Sequence, residues 1–184
     1  GANVALKTAG EYSELLKQCN VKKILAIAPP INLSKCADLL DKPGNKLYRY
    51  CFMRSLNKMI ANRHKIFPEL GLAIKYPLNT GMRKFDDSYT ARYSEFKDAK
   101  DYYQTCSSIS VIQNIEINTQ IFVSIDDPFI DKTAFETIKS HPKITYTAWP
   151  FGGHIGCLGN PFKKSGLFWM HAEIIKALTS DSCT

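Results

Sequence analysis

The sequence predicts an α/β fold in which helices flank a mostly parallel β-sheet. Three short runs, apolar or rich in β-branched and aromatic residues, have the length of strands, and each is followed by a proline within three residues. Stretches with the apolar spacing of helices separate the runs. This alternation of strands and helices is typical of parallel sheets. The 184 residues are enough for one domain with a buried core.

The first two elements are predicted to be a helix and a buried strand. An amphipathic helix is expected over residues 3–18. Its apolar positions are Val4, Leu6, Leu15 and Leu16. The strand covers residues 23–28 and stops at two prolines. Its nearly continuous apolar run is expected of a strand that is covered on both faces of a parallel sheet.

A helical insertion is predicted between the first and second strands. About ninety residues separate the two strands, which is far too long for a simple crossover. Residues 34–66 look mainly helical and carry many lysine, arginine and aromatic side chains. We therefore expect a cap-like helical insertion over residues 34–100 within a single domain that includes all of residues 1–184.

The remaining elements complete the α/β alternation. The second strand is predicted over residues 119–125 and the third over residues 144–149. A short crossover helix is expected between them, at residues 131–140. Residues 166–178 have apolar spacing suited to a closing helix.

Charge and cysteine usage exclude several classes of protein. The net charge is +7, but lysine and arginine are spread along the chain without a nucleic-acid-binding motif, so no nucleic acid partner is expected. No apolar run approaches the ~20 residues of a membrane span, so no transmembrane segment is expected. The six cysteines are irregularly spaced and form no C-x-x-C pair, which favours reduced thiols in a cytoplasmic protein.

The sequence does not predict a metal site or a cofactor site. The four histidines form no H-x-x-x-H pair, and the cysteines lack the spacing of zinc ligands. We therefore expect neither a metal ion nor a cofactor.

Two aspartates stand where the second strand ends. Asp126 and Asp127 begin the segment Asp-Asp-Pro-Phe directly after this predicted strand. Catalytic groups of open α/β sheets collect at the carboxyl ends of strands, and a carboxylate there can orient a histidine. The alternative is that these aspartates only form a turn or cap the next helix.

His154 follows the third strand in a glycine-rich loop. The segment Phe-Gly-Gly-His-Ile-Gly places it between glycines, which allow a tight turn, and 27 residues after Asp127. A histidine in this place can act as a general base and then as a general acid. A lone loop histidine is more often structural, but the two features together favour catalysis.

No nucleophile completes this pair within the chain. A G-x-S-x-G segment is absent, and Ser107, Ser108 and Ser165 lack the strand–turn–helix context of a nucleophile elbow. Cys157 lies three residues after His154, too close in sequence to face its ring easily. We expect the nucleophile to lie upstream of residue 1.

Several motifs, in order, resemble the YheT-like α/β-hydrolases along essentially the whole chain. Arg83-Lys84-Phe85-Asp86-Asp87 with Thr90-Ala91 is similar to the family's R-x-F-D-[DE]-x-x-T-A segment. Phe96 and Asp98 to Tyr103 resemble its G-F-x-D-A-x-D-Y-Y segment, with Glu95 in place of glycine. The segments around Asp127 and His154 resemble its D-D-P-F and G-G-H-x-G motifs. Arg83, Phe85, Asp86 and Thr90 are expected to fix the cap against the sheet rather than to touch substrate.

The resemblance implies that the chain is the C-terminal part of an α/β-hydrolase fold. Gly1-Ala2-Asn3 is similar to the end of the family's G-x-S-L-G-G-N elbow, which would place the serine two residues before Gly1. Asp127 is expected to be the acid because Ser124 fills the small strand-end position three residues before it. Asp126 would then help to hold the loop.

The resemblance implies a serine-type carboxylic ester hydrolase acting on short-chain, medium-chain or lipid esters. The catalytic residues carried by this chain would be Asp127 and His154, and the chain alone is expected to be inactive. The missing N-terminal part of the fold is its expected partner. Two alternatives remain open: acyl transfer to an alcohol, and a non-catalytic half that pairs with a separate N-terminal half.

Overall fold

In the computed structural model, which describes residues 1–71, 73–156 and 169–179, the chain forms two compact units. The first, here called the sheet unit, comprises Gly1–Leu33 and Cys106–Thr184. The second, the helical unit, comprises Ser34–Thr105. That the helical unit acts as a cap stays a prediction.

Three parallel strands form the sheet of the sheet unit. They are β1 (Lys23–Ile27), β2 (Asn118–Ser124) and β3 (Ile144–Trp149), in the spatial order β1-β2-β3. Ala26 of β1 pairs with Ile121 of β2, which in turn pairs with Tyr146 of β3. The predicted parallel α/β arrangement is confirmed, and the carboxyl ends of β2 and β3 lie side by side.

The three strands are buried to different extents. Ile121, Phe122 and Val123 of the central strand β2 are almost fully buried. In β1, only Ala26 is fully buried and the other four residues are half-buried. Among the described residues β1 pairs with β2 along one edge only, and its expected coverage on both faces stays a prediction.

The predicted first helix is interrupted. It forms α1 (Ala2–Glu11) and α2 (Ser13–Gln18), separated at Tyr12, whose φ of −130° is not helical. The hydroxyl of Ser13 accepts the backbone N–H of Glu116, which ties this break to the segment before β2. α1 packs against β1 and buries Leu6 and Ala9, whereas Val4 is 65% exposed, so only part of the expected apolar face is covered.

The crossover between β2 and β3 is a 3-10 helix, Lys132–Ile138, rather than the predicted α-helix. The side chain of Asp131 caps it by accepting the backbone N–H of Thr133. Ala134, Phe135 and Ile138 bury its inner face, a spacing that both helix types satisfy. The last described helix is α7 (Trp169–Thr179), and predicted positions 166–168 lie outside the described residues.

The helical unit contains four α-helices among its described residues, of which the first two lie largely within the stretch predicted to be helical. They are α3 (Leu33–Leu40, whose first residue belongs to the sheet unit), α4 (Lys46–Ile66), α5 (Met82–Phe85) and α6 (Ala99–Cys106, whose last residue also belongs to the sheet unit). Two short 3-10 helices flank α4 at Pro43–Asn45 and Pro68–Leu70, and a π-helical segment, Asp86–Ala91, follows α5. Met53, Ile60, Phe85 and Tyr89 form the buried core. These contacts join α4 to the segment that carries the Arg-x-Phe-Asp-Asp motif.

Three further observations concern the described residues alone. Among the described residues, no helix is long and apolar enough to cross a membrane. The same residues contain no cluster of three or more metal-ligating side chains. No disulfide joins the four described cysteines, Cys19, Cys36, Cys51 and Cys106.

Candidate active site

The ends of two neighbouring strands bring the predicted acid and base together. The backbone N–H of Ile125 donates to the carbonyl oxygen of Trp149 at 2.7 Å, so β2 and β3 remain paired to their last residues. Asp126 and Asp127 follow β2, and the loop with His154 follows β3. Residues that are far apart in sequence thereby meet at one edge of the sheet.

Asp127 is held in a fixed position by its own turn. One carboxylate oxygen, Oδ1, accepts the backbone N–H groups of Phe129 and Ile130, both at 3.1 Å. The other oxygen, Oδ2, lies 2.8 Å from Nδ1 of His154. The residue is 5% exposed. One oxygen of this buried carboxylate therefore binds the backbone, and the other contacts one imidazole.

The contact with Asp127 decides which nitrogen of His154 carries the proton. An ionised carboxylate only accepts hydrogen bonds, so Nδ1 is the donor and Nε2 carries the lone pair. The Phe129 ring packs against the imidazole with a centroid distance of 4.3 Å. Nε2 has no hydrogen-bond partner among the described residues, and the side chain is 33% exposed. The imidazole is thus oriented on one side and accessible on the other.

Asp126 binds the backbone of the histidine loop instead of the ring. Its Oδ1 accepts the N–H of Gly153 at 2.9 Å, and its Oδ2 accepts the N–H of Gly152 at 3.2 Å. These bonds, above all the one from Gly153, lower the pKa of the Asp126 carboxyl below its ordinary value. The Asp127–His154 contact and the Asp126–loop contacts are those that the sequence led us to expect. Asp127 and His154 as the catalytic pair stay a prediction.

The structure does not supply a nucleophile for this pair within the described residues. The hydroxyl of Ser107 accepts the backbone N–H of Leu33 at 3.0 Å, and Ser108 is fully buried. Both serines lie in or beside the 3-10 helix Ser108–Ser110, without the strand–turn–helix context of an elbow. Ser165 and Cys157 lie outside the described residues.

The Arg-x-Phe-Asp-Asp motif organises the helical unit. Arg83 pairs with Asp38 of α3, with a shortest N–O distance of 2.6 Å, and also donates to the hydroxyl of Ser34. Asp41 accepts the backbone N–H of Met82 at 2.7 Å, at the start of α5. The expectation that this motif fixes the cap against the sheet stays a prediction, because all these contacts lie inside the helical unit.

Asp86 is the buried centre of this motif. The Tyr103 hydroxyl and the Thr90 hydroxyl each donate to one of its oxygens at 2.6 Å. Burial raises the pKa of Asp86 even though both hydrogen bonds oppose the change. Burial and the bond to Asp86 also raise the pKa of Tyr103 far above that of an ordinary phenol.

The sequence did not identify three partners in these two clusters. Phe129 against His154, Asp38 with Arg83, and Tyr103 on Asp86 all depend on tertiary contacts. Phe129 and Tyr103 do lie within the recognised motifs, which is the signal that could have selected them. Asp38 lies outside the motifs and carries no comparable signal.

Comparisons with known proteins agree with this fold. YheT of Escherichia coli is 27% identical over 168 residues, covering 87% of this chain and 48% of the relative. The monoacylglycerol lipase of Saccharomyces cerevisiae is 24% identical over 186 residues, covering 97% of this chain and 40% of the relative. The medium-chain fatty acid ethyl ester synthase/esterase 2 of Saccharomyces cerevisiae is 34% identical over 77 residues, covering 41% of this chain and 17% of the relative.

The chain spans less than half the length of these curated relatives. No protein-family model matches the chain, and no solved structure matches it significantly. The parallel sheet with flanking helices is that of the C-terminal part of an α/β-hydrolase. The fold and these relatives support a YheT-like α/β-hydrolase family for this chain.

Proposed function

We propose that the protein containing this chain is a serine-type carboxylic ester hydrolase. In this proposal His154 is the general base and acid, and Asp127 orients it. The observation that carries the proposal is the 2.8 Å contact between His154 Nδ1 and Asp127 Oδ2, which leaves Nε2 available to a nucleophile. Relatives that are named as an esterase and a lipase support this reaction class.

The reaction follows from the orientation of the imidazole. Nε2 of His154 takes the proton of a serine hydroxyl as the serine oxygen attacks the ester carbonyl. The imidazolium that forms is stabilised by Asp127, and it then gives the proton to the leaving alcohol. Backbone N–H groups that bind the developing oxyanion contribute roughly 3 kcal/mol each. Water, deprotonated by Nε2, hydrolyses the acyl-enzyme in the second half of the reaction.

The nucleophile is proposed to be a serine in a segment outside these 184 residues. The chain contains no G-x-S-x-G elbow, and it spans less than half the length of YheT and of the yeast monoacylglycerol lipase, which leaves room for such a segment. The missing segment would also supply the remaining strands and the oxyanion-hole donors. We propose the cytoplasm as its location, because the six cysteines are irregularly spaced without a C-x-x-C pair.

Short-chain, medium-chain or lipid esters are the proposed substrates. Acyl transfer to an alcohol is a second candidate, and the similarity to the fatty acid ethyl ester synthase/esterase favours it. The two reactions share the acyl-enzyme and differ in whether water or an alcohol accepts the acyl group. Adding ethanol to the assay and measuring ethyl ester against free acid separates them.

The test is turnover of p-nitrophenyl butyrate and decanoate by the protein that includes the polypeptide encoded before Gly1. We expect turnover that a fluorophosphonate serine reagent abolishes. His154→Ala should lower kcat by a factor on the order of 10⁴. The matched control is His141→Ala, since the ring of His141 contacts the Gln113 carbonyl oxygen and the Lys143 N–H rather than Asp127.

Two outcomes would contradict the proposal. Turnover that survives His154→Ala would remove His154 from the reaction. Serine-type turnover by residues 1–184 alone would show that the nucleophile lies within this chain. An effect of His141→Ala as large as that of His154→Ala would indicate a loss of folding instead of a loss of catalysis.

A further inference from the structure

The side chain of Asp126 binds the loop that carries His154 through two consecutive backbone N–H groups. We propose that Asp126 is a positioning residue that sets the place of the His154 imidazole by binding the two peptide N–H groups before it. The proposal rests on the hydrolase function proposed above and adds to it a residue that does not touch the ring.

The geometry of the two hydrogen bonds supports this role. The two oxygens of one carboxylate bind consecutive N–H groups, at 2.9 Å for Gly153 and 3.2 Å for Gly152. Two bonds to one rigid group hold the two consecutive peptides Phe151–Gly152 and Gly152–Gly153. Gly153 is the residue directly before His154, so little freedom remains between this anchor and the imidazole.

The backbone conformation explains why glycine occupies the anchored positions. Gly153 has a φ of +56°, in the left-handed region that glycine enters without steric cost, and Gly152 has a φ of +155°. This conformation points both N–H groups toward the same carboxylate. A residue with a side chain would be strained at Gly153 even though open space surrounds the position where its Cβ would lie.

The start of the loop is exposed, whereas its anchor is attached to the sheet. Phe151, at its start, is 79% exposed, and within the loop the N–H of Gly156 donates to the carbonyl oxygen of Gly152 at 2.9 Å. Asp126, by contrast, directly follows Ile125, whose N–H is bonded to Trp149 of β3. The carboxylate therefore connects the exposed loop to the rigid end of the sheet.

The charge on Asp126 agrees with this function. The bond from Gly153, above all, lowers the pKa of the Asp126 carboxyl, and Lys132 acts in the same direction. An ionised carboxylate accepts stronger hydrogen bonds from N–H groups than a neutral acceptor does. The anchor is consequently formed at the neutral pH at which a general-base histidine works.

A displaced imidazole has a measurable cost. Misplacement of a catalytic group by about 1 Å can lower turnover about 10²-fold. We therefore expect Asp126→Ala to lower kcat by roughly 10- to 100-fold while KM changes less than about threefold, because substrate contacts are kept. Asp126→Asn retains one oxygen that can accept an N–H, but its NH2 group cannot accept the other. Its kcat should therefore lie between those of Asp126→Ala and the wild type.

The matched control is Asp98→Ala in the helical unit. Asp98 is also an exposed aspartate whose carboxylate accepts a backbone N–H, that of Asp101 at 2.8 Å. Its loss should change thermal stability about as much as the loss of Asp126 while leaving kcat within about twofold. A kcat that is equally low in Asp98→Ala and Asp126→Ala would overturn the positioning role.

Amide hydrogen exchange tests the anchor without any substrate. In the full-length protein, the Gly152 and Gly153 amides should exchange on the order of tenfold faster in Asp126→Ala than in the wild type, since each loses its acceptor. Unchanged exchange would overturn the proposal, whatever the activity. If exchange is faster but the wild type hydrolyses no ester, the proposed function is refuted and the contact of Asp126 with the loop is supported. If exchange is faster but kcat is unchanged, the positioning role is refuted.

Discussion

Two pairs of consecutive aspartates occur in the chain: Asp86–Asp87 in the helical unit and Asp126–Asp127 in the sheet unit. The two carboxylates of each pair make different contacts, and the division is the same in both pairs. In each pair one carboxylate is buried and binds a ring side chain from a later segment, Tyr103 or His154. The other carboxylate is exposed and accepts backbone N–H groups, Asp87 from Ala99 and Asp126 from Gly152 and Gly153.

The two pairs differ in what their rings can do. Both oxygens of Asp86 are occupied by buried or half-buried hydroxyl groups, and the pKa of Tyr103 is raised far above neutrality by burial and by its bond to Asp86. Asp127 instead holds an imidazole that is 33% exposed and whose second nitrogen faces away from it. An imidazole can exchange a proton near neutral pH, whereas this phenol cannot. The same local sequence therefore serves structure in one unit and, as proposed, chemistry in the other.

The largest expected difference between the pairs is in turnover. Asp127→Asn should lower kcat by a factor on the order of 10⁴, because an amide that donates to Nδ1 would favour the wrong tautomer of His154. Asp86→Asn should leave kcat within about fivefold, since Asp86 contacts no group of the proposed site. The measurement is steady-state hydrolysis of p-nitrophenyl butyrate by the full-length protein.

Equal losses of kcat in Asp127→Asn and Asp86→Asn would contradict the different roles given to the two aspartates. Circular dichroism and thermal unfolding should show that both variants are folded at the assay temperature. A 10⁴-fold loss in Asp86→Asn, with the fold retained, would assign Asp86 to catalysis and contradict the structural role inferred from its hydroxyl partners.

The residues that sequence reasoning placed correctly are those whose position follows from local pattern and strand order. The three strands are short and apolar or rich in β-branched and aromatic residues, and parallel strands bring their carboxyl ends to one edge, so Asp127 and His154 were expected to meet. The resemblance to α/β-hydrolases, with Ser124 three residues before Asp127, implied which of the two aspartates is the acid. The observed 2.8 Å contact with Asp127 agrees with that choice.

The features that the sequence did not predict depend on tertiary contacts. The break at Tyr12 is tied to the distant Glu116, whose N–H binds Ser13. The 3-10 form of Lys132–Ile138 cannot be separated from an α-helix by apolar spacing, since Ala134, Phe135 and Ile138 can share one side of either helix. Asp38 meets Arg83 across 45 residues, and nothing in the local sequence of either residue selects the other.

A smaller effect is expected on stability at the Asp86 pair. Tyr103→Phe removes a hydrogen bond to a buried carboxylate and should lower the free energy of unfolding by about 1.5–3 kcal/mol. The matched control is Tyr12→Phe, which should change it by less than about 0.5 kcal/mol because Tyr12 is exposed. Urea denaturation at neutral pH measures both. Equal stabilities of the two variants would show that the Tyr103–Asp86 bond does not stabilise the fold.

The smallest expected effects concern how the stability contributions of Asp86 and Asp126 change with pH. The two contributions should change in opposite directions. Burial raises the pKa of Asp86, so the folded protein binds this proton more tightly than the unfolded chain. The contribution of Asp86 to stability is therefore present below the ordinary aspartate pKa and declines as the pH rises through the raised value. The bonds from Gly153 and Gly152 lower the pKa of Asp126, so its contribution is present above the ordinary pKa and is lost as the pH falls through the lowered value.

Substituting each residue by asparagine removes its titration and isolates these two contributions. As the pH rises from about 3 to about 7, the stability of the wild type relative to Asp86→Asn should fall, and relative to Asp126→Asn it should rise. Urea denaturation of the three proteins across this range measures both differences with a common reference. If both change in the same direction, one of the two carboxylates is not in the environment described for it. A fall relative to Asp126→Asn would identify Asp126 as the misassigned group, since an ionised anchor can only gain stability with increasing pH.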